Sequence, residues 1–137
     1  MVNLFLVVAQ LILIVSFLTS YDYKVGLNMG IQAFTPMGNT VTFTAATSAP
    51  TPVQCLSTTI GGTQYRVING GTVLVFLGFG DTSSQASGNA SIVTTTGRAF
   101  PLLPGTDEIL TFNANQYFTG ITVSGTANVY ITPGYGM

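Results

Sequence analysis

The chain has 137 residues with a formal net charge of −1, and only 5% of its residues are charged, against about 25% in ordinary soluble domains. It contains no histidine, one cysteine and three basic residues, which argues against a transition-metal site, an intramolecular disulfide and the basic patch of a nucleic-acid-binding protein. We therefore expect one small domain without a cofactor or a nucleic-acid partner. Such a low charge gives little repulsion between copies, which fits a place inside a protein assembly, and it fits equally a small secreted domain that relies on Thr, Ser and Asn for its solubility.

The first 28 residues differ from the rest of the chain. Residues 4–18 are apolar except for Gln10 and Ser16. As a helix they would span about 22 Å, which is shorter than the roughly 30 Å of a bilayer core. This segment fits a membrane anchor or uncleaved signal, a segment that docks on a neighbour, or an extension translated from upstream of a true start at Met29. We predict an apolar helical segment at 1–28 and a β-domain at 29–137.

From Met29 onward the composition is typical of β-structure, with frequent Gly, Pro, Asn and Ser between short apolar runs. In TVTFTAA (40–46), Val41, Phe43 and Ala45 alternate with threonines, which predicts a half-buried strand. In PVQCLST (52–58), Cys55 is expected to be a buried small residue rather than a reactive thiol. We count about eight short strands and no interior helix, which predicts a single all-β domain, a β-sandwich or jelly-roll-like fold.

Three pairs of strands are predicted around turns. The best hairpin spans residues 64–80 around the turn Asn-Gly-Gly, and its second strand is apolar on both faces, as in a central strand that is covered on both sides. A Pro-Gly turn at 104–105 separates two apolar stretches, and a final hairpin spans 116–134 around SGTAN. Residues 81–91 are polar and glycine-rich, so we predict an exposed loop there, followed by a short strand at 92–96.

Catalytic chemistry finds little support in the sequence. No nucleophile and base can be paired without histidine, and the adjacent Asp107 and Glu108 would point to opposite faces of a strand. Asp81 is expected to cap the loop that follows it. Asn89 begins an Asn-Ala-Ser triplet, which matters only in a eukaryotic secretory setting. We therefore predict a protein that is not an enzyme and has no catalytic, cofactor-binding or metal-binding residues.

A role in protein interfaces explains the few arginines and the many aromatic residues better than catalysis does. Arg66 and Arg98 could each pair with Asp81, Asp107 or Glu108, within the chain or across an interface, or could simply be solvated. The aromatic side chains are numerous for so small a core, and aromatic residues are enriched at interfaces. The candidate interface residues are therefore Arg66, Arg98, Phe118, Tyr130 and Tyr135, with burial in the core as the alternative for each ring.

Four motifs follow one another in the chain: IQAFTPMGNTVTFTA, YRVINGGTVLVFLGFG, PLLPGTDEILTF and ITVSGTANVYITPGYG. In this order they resemble small structural proteins of tailed bacteriophages. The resemblance covers residues 29–137 and implies a compact β-sandwich that decorates or cements a capsid, or is a related head or tail accessory subunit, as a homo-oligomer on the virion surface. The implied partners are the major capsid protein or other virion proteins. Residues 1–28 depart from this pattern.

Two other functions remain open from the sequence. The first is a membrane-anchored or exported β-domain, such as a surface or pilus-like subunit, tethered by residues 4–18. The second is carbohydrate binding by a jelly-roll lectin, although no cluster of suitable residues stands out in the sequence.

Overall fold

The computed structural model describes residues 33–58 and 62–136. These residues form a mostly β structure with one short helix. In chain order the elements are β1 (Thr35–Pro36), β2 (Val41–Ala45), β3 (Val53–Gln54), β4 (Gln64–Asn69), β5 (Val75–Gly80), α1 (Ser83–Asn89), β6 (Phe100–Leu102), β7 (Asp107–Thr111), β8 (Tyr117–Ile121) and β9 (Ala127–Tyr135).

The strands form two antiparallel sheets that pack as a β-sandwich. The front sheet has the order β2–β9–β4–β7, and β1 pairs with the far end of β9. The back sheet has the order β3–β8–β5–β6. Strands β2 to β9 thus follow the strand order of a jelly roll, in which two Greek keys are wrapped together. The predicted all-β sandwich or jelly-roll-like fold is confirmed.

The core lies between the two sheets and follows from alternation along the strands. In β2, Phe43 and Ala45 are buried whereas Thr42 and Thr44 are exposed, as the sequence predicts. Both sheets contribute to one apolar cluster that includes Tyr65, Leu77, Leu102, Phe118, Val129 and Ile131. A ring pair joins the sheets, because Tyr65 of β4 meets Phe118 of β8 edge-on at 5.1 Å between centroids.

The predicted two-sided cover of β5 is confirmed, and helix α1 supplies one of its sides. Val75 and Leu77 face the core. On the other face, Gly78 and Gly80 lie under α1 so closely that a Cβ at Gly78 would collide with the Ala86 carbonyl oxygen and the Ala90 side chain. The prediction of an exposed loop at 81–91 is therefore wrong for residues 83–89. The prediction that the domain has no interior helix is wrong for the same reason.

Local capping explains why this polar segment is helical. The Thr82 hydroxyl accepts a hydrogen bond from the Gln85 backbone N–H at 3.2 Å, and the Gln85 side chain accepts one from the Asp81 N–H at 2.9 Å. This closely resembles a capping box, in which the two ends of a Thr-x-x-Gln segment satisfy free backbone donors. Thr82, rather than Asp81, caps the helix.

The hairpins predicted at 64–80 and 116–134 are wrong, because in both cases the two strands belong to different sheets. β4 pairs with β7 and β9, whereas β5 pairs with β6 and β8. The Asn-Gly-Gly segment is a corner that crosses the sandwich. The buried Asn69 side chain holds this corner by donating to the carbonyls of Val73 (2.9 Å) and Leu102 (3.0 Å) and accepting from the Gly71 N–H (3.0 Å).

The remaining local predictions have mixed outcomes. A turn does occupy residues 104–105, where Gly105 has a φ of 70°, but it too connects strands of different sheets. Residues 92–96 contain no strand, and most of them are exposed. The predicted segment 1–28 lies outside the described residues, as does the start of the predicted domain at Met29.

Candidate interaction surface and polar pocket

Two of the predicted interface residues, Arg66 and Tyr130, share the outer face of the front sheet. Arg66 is paired with Thr132, and Ile68 with Tyr130, on neighbouring strands β4 and β9. Paired residues in adjacent strands project to the same side of a sheet. We call this surface the front face; its outward residues are Thr42, Thr44, Arg66, Ile68, Asp107, Ile109, Asn128, Tyr130 and Thr132.

The charges of the front face neutralise each other. Arg66 Nε donates to both carboxylate oxygens of Asp107 at 3.0 Å, and its Nη2 forms a further ion-pair contact. The two residues are diagonal neighbours, because Asp107 is paired with Ile68, two residues from Arg66. The hydrogen bond from Arg66 lowers the pKa of Asp107, and the same bond raises the pKa of Arg66. Both side chains are more than 40% exposed, so the pair contributes little to stability.

Uncharged hydrogen bonds organise the rest of the front face. The Thr44 hydroxyl donates to Asn128 Oδ1 at 2.8 Å, and the hydroxyls of Thr40 and Thr132 are 2.7 Å apart. Tyr130 lies between these rows and is 40% exposed. The front face therefore presents mainly polar side chains, with one aromatic ring and two half-buried isoleucines, and it has no net charge.

The other three predicted interface residues lie elsewhere. Phe118 is fully buried in the core, where it contacts Tyr65 and Phe112, so its ring cannot reach a neighbouring subunit. The prediction that places it at an interface is corrected accordingly. Tyr135 is 57% exposed at the far end of β9, beside β1. Arg98 is exposed on the connection between β5 and β6.

Arg98 lines a pocket at one end of the sandwich. The pocket lies where β5 ends and β8 begins, and its volume is about 290 Å³. The β5–β6 connection supplies part of its wall and the β7–β8 connection another part. Phe79 and Gly80 contribute apolar surface, and the polar side chains around it are Asp81, Gln85, Asn89, Arg98, Asn113 and Gln116.

The Asp81 carboxylate is held in this pocket by two amides. Asn113 Nδ2 donates to Asp81 Oδ1 at 2.9 Å, and Gln116 Nε2 donates to the same oxygen at 2.7 Å. These bonds lower the pKa of Asp81, with that from Asn113 as the larger cause, because they stabilise the ionised form. Asp81 is therefore a carboxylate throughout the physiological pH range.

The core fixes the segment that carries these amides. The Tyr65 hydroxyl donates to the Asn113 carbonyl at 2.7 Å and accepts from the Gln116 N–H at 3.3 Å. Burial raises the pKa of Tyr65. Phe112 packs in a tilted arrangement against Phe79, which lines the pocket, at 4.5 Å between ring centroids. The pocket is thus built on packed aromatic rings.

Sequence reasoning missed this pocket because its residues come from two separate connections. Asp81 and Gln116 are 35 positions apart, and no spacing motif links them. A usable local signal was Thr-Ser-Ser-Gln at 82–85, which predicts a helix start and would have placed Gln85 and Asn89 on an ordered element.

Cys55 is buried, as expected. Its thiol lies 3.7 Å from the Ile131 carbonyl oxygen, and burial raises its pKa to about 12. A thiol in this state is a packing residue and not a nucleophile.

Comparison with models of protein families, with curated proteins and with solved structures finds no match for this chain. Among residues 33–58 and 62–136, no helix has the length and apolar character needed to cross a bilayer, and no three potential metal ligands cluster. The apolar residues 4–18 lie outside those ranges.

Proposed function

We propose that this protein is a non-enzymatic structural protein of a virus particle, a capsid decoration or cement-like subunit that acts by packing against other proteins. The observation that carries the proposal is the front face. It spans four strands, and it combines hydroxyl-bearing side chains and two isoleucines with one ion pair, so it has no net charge. Such a surface can be covered by another protein without burying an unpaired charge.

The chemistry of the front face suits a protein interface. Burying an unpaired charge is costly, whereas Arg66 and Asp107 already neutralise each other. Tyr130 supplies the kind of aromatic anchor that is enriched at interfaces, where most charged residues are depleted. The front face is nearly neutral and can meet its own copy without repulsion, so we assign a second copy of this chain as its occupant. The resulting homo-oligomer would attach to the major capsid protein.

The topology is compatible with this role. Jelly rolls are common in viral capsid domains, but they also occur in lectins and in cupins. Fold alone does not assign function, so the topology supports the proposal without carrying it.

The first experiment asks where the protein resides in the organism that encodes it. Antibodies against the purified chain are applied to density-gradient fractions of released particles and to membrane fractions. We expect the protein to band with intact particles and to be accessible on their surface. Recovery in the membrane fraction alone would overturn the proposal and support the tethered β-domain instead.

The second experiment tests the front face itself. Light scattering measures the mass of the full chain and of Tyr130→Ser. Val123→Ser is the control, because Val123 is also an exposed apolar residue (63%, against 40% for Tyr130) but lies in a bend outside the front face. We expect an oligomer that dissociates in Tyr130→Ser and persists in Val123→Ser. A monomeric wild-type chain, or equal masses for all three proteins, would contradict self-association through this face.

A further inference from the structure

The polar pocket between the β5–β6 and β7–β8 connections has hydrogen-bonding capacity that the fold does not use. Asp81 Oδ1 accepts two hydrogen bonds, whereas Asp81 Oδ2 accepts none from the residues that the structure describes. Arg98 forms no ion pair within the same residues. A fixed acceptor and an unpaired donor therefore line one pocket.

Gln85 and Asn89, two of the side-chain amides around Asp81, each use only one of their two polar groups in a hydrogen bond within the domain. Asn89 Nδ2 donates to the Phe79 carbonyl at 2.8 Å, which leaves its side-chain oxygen as an acceptor. Gln85 Oε1 accepts from the Asp81 N–H, which leaves its NH₂ as a donor. Gln116 is buried, with only 4% of its surface exposed, so contacts within the protein fix the position of its side chain. Donors and acceptors are thus held in place around the pocket before any ligand arrives.

The charges define the class of ligand. An anion such as phosphate would be repelled by the Asp81 carboxylate, which stays ionised, and a cation would be repelled by the Arg98 guanidinium. A neutral molecule rich in hydroxyl groups can form hydrogen bonds with both Asp81 and Arg98, because each hydroxyl donates one hydrogen bond and accepts others. Neighbouring hydroxyls can donate to Asp81 Oδ2 while they accept from Arg98.

Size and shape narrow the ligand further. The volume of about 290 Å³ is at the small end of ligand pockets, which span roughly 300–1,000 Å³. Phe79, which is half-buried and backed by Phe112, offers apolar surface beside the polar groups. The C–H face of a sugar ring can pack against such a surface while its hydroxyls face the polar groups.

We propose that this pocket binds a neutral saccharide unit, with Asp81 and Arg98 as its principal hydrogen-bonding residues. This function goes beyond packing in a particle and does not depend on it. A subunit whose front face is covered by a second copy of the chain would still display this second site at one end of the sandwich.

The test uses the full chain labelled with ¹⁵N and the methyl glycosides of mannose, glucose, galactose and N-acetylglucosamine. Binding is followed by NMR shifts of the side-chain amides of Asn89, Asn113 and Gln116. Inorganic phosphate and glycine serve as anionic and zwitterionic comparators. We expect saturable shifts with at least one glycoside and weaker binding of both comparators.

Two variants and one control connect binding to the pocket. Asp81→Asn and Arg98→Ala should each weaken the glycoside by about tenfold or more, because each removes a hydrogen bond to a charged group. Asp107→Asn makes the same change as Asp81→Asn on the front face and should bind as the wild-type chain does. Circular dichroism checks that each variant is folded.

Three results would overturn the proposal: no shift with any of the four glycosides, equal or tighter binding of phosphate or glycine, or glycoside binding that neither pocket variant weakens. None of these measurements depends on oligomer mass or on particle fractions, so the saccharide site and the structural role can fail separately.

Discussion

The Tyr65 hydroxyl ties the segment that bears the pocket amides to the core, and Tyr65→Phe isolates that connection. The ring is fully buried, so the substitution keeps its packing. It removes the oxygen that donates to the Asn113 carbonyl and accepts from the Gln116 N–H. A net hydrogen bond contributes about 1 kcal/mol, and a buried group left without a partner costs about 1–3 kcal/mol. We therefore expect the free energy of unfolding to fall by about 2 kcal/mol.

Urea unfolding followed by circular dichroism measures this loss. With a slope of about 1–3 kcal/mol per molar urea, the midpoint should fall by roughly 1 M at an unchanged slope. Tyr117→Phe is the matched control, because the Tyr117 hydroxyl forms no hydrogen bond among the described residues; it should change stability by less than about 0.5 kcal/mol. If Tyr65→Phe is as stable as this control, the hydroxyl does not anchor the segment and the reasoning is refuted.

Three further predictions concern other parts of the domain. Gly78→Ala should lower the free energy of unfolding by about 1–3 kcal/mol because its Cβ would collide with α1. Gly88→Ala, which has open space at its Cβ, should raise it by about 0.5–1 kcal/mol. Urea unfolding of both variants decides whether the helix packs as described. The pKa of Asp107 is lowered in the folded protein, so its ionised form stabilises the fold by at most about 1 kcal/mol at an exposed pair. This stabilisation is present above the unfolded pKa of about 3.9 and is lost as the pH falls through the lower folded pKa. Asp107→Asn should remove this part of the pH dependence of stability, and an unchanged acid unfolding profile would count against the pair. Cys55, with a pKa of about 12, should resist alkylation in the native protein at mildly alkaline pH and react fully in urea, and rapid labelling of the native chain would contradict its burial.

The sequence predicts individual strands of this fold better than it predicts their partners. Alternation around Phe43 identifies β2 and its buried face, and the two-sided apolar run identifies β5 as a covered strand. Pairing is different, because a turn between two apolar runs is compatible with a hairpin and with a corner between sheets. At residues 69–71 the choice depends on Asn69, whose buried side chain bonds to the distant Leu102 carbonyl. A contact over 33 positions leaves no local pattern.

The candidate sites likewise divide into features that the sequence predicts and features that only the folded structure reveals. Arg66 and Tyr130 are exposed on the front face, which an interface role requires, and that role stays a prediction. Phe118 was misplaced, because a ring on a strand with apolar neighbours carries no sign of which face it takes. The pocket around Asp81 could not be predicted, because it forms only when the β5–β6 and β7–β8 connections meet at one end of the sandwich.

The central position of β9 constrains how the domain can assemble. This last strand bonds to β1 and β2 on one side and to β4 on the other, while β5 and β6 alone pair as immediate sequence neighbours among the described strands. During synthesis, β1, β2 and one edge of β4 therefore have no partner strand until residues 127–135 have left the ribosome. Folding should be slow for a chain of this size, since long-range pairings dominate, and a product that stops before Ala127 should aggregate rather than fold in part.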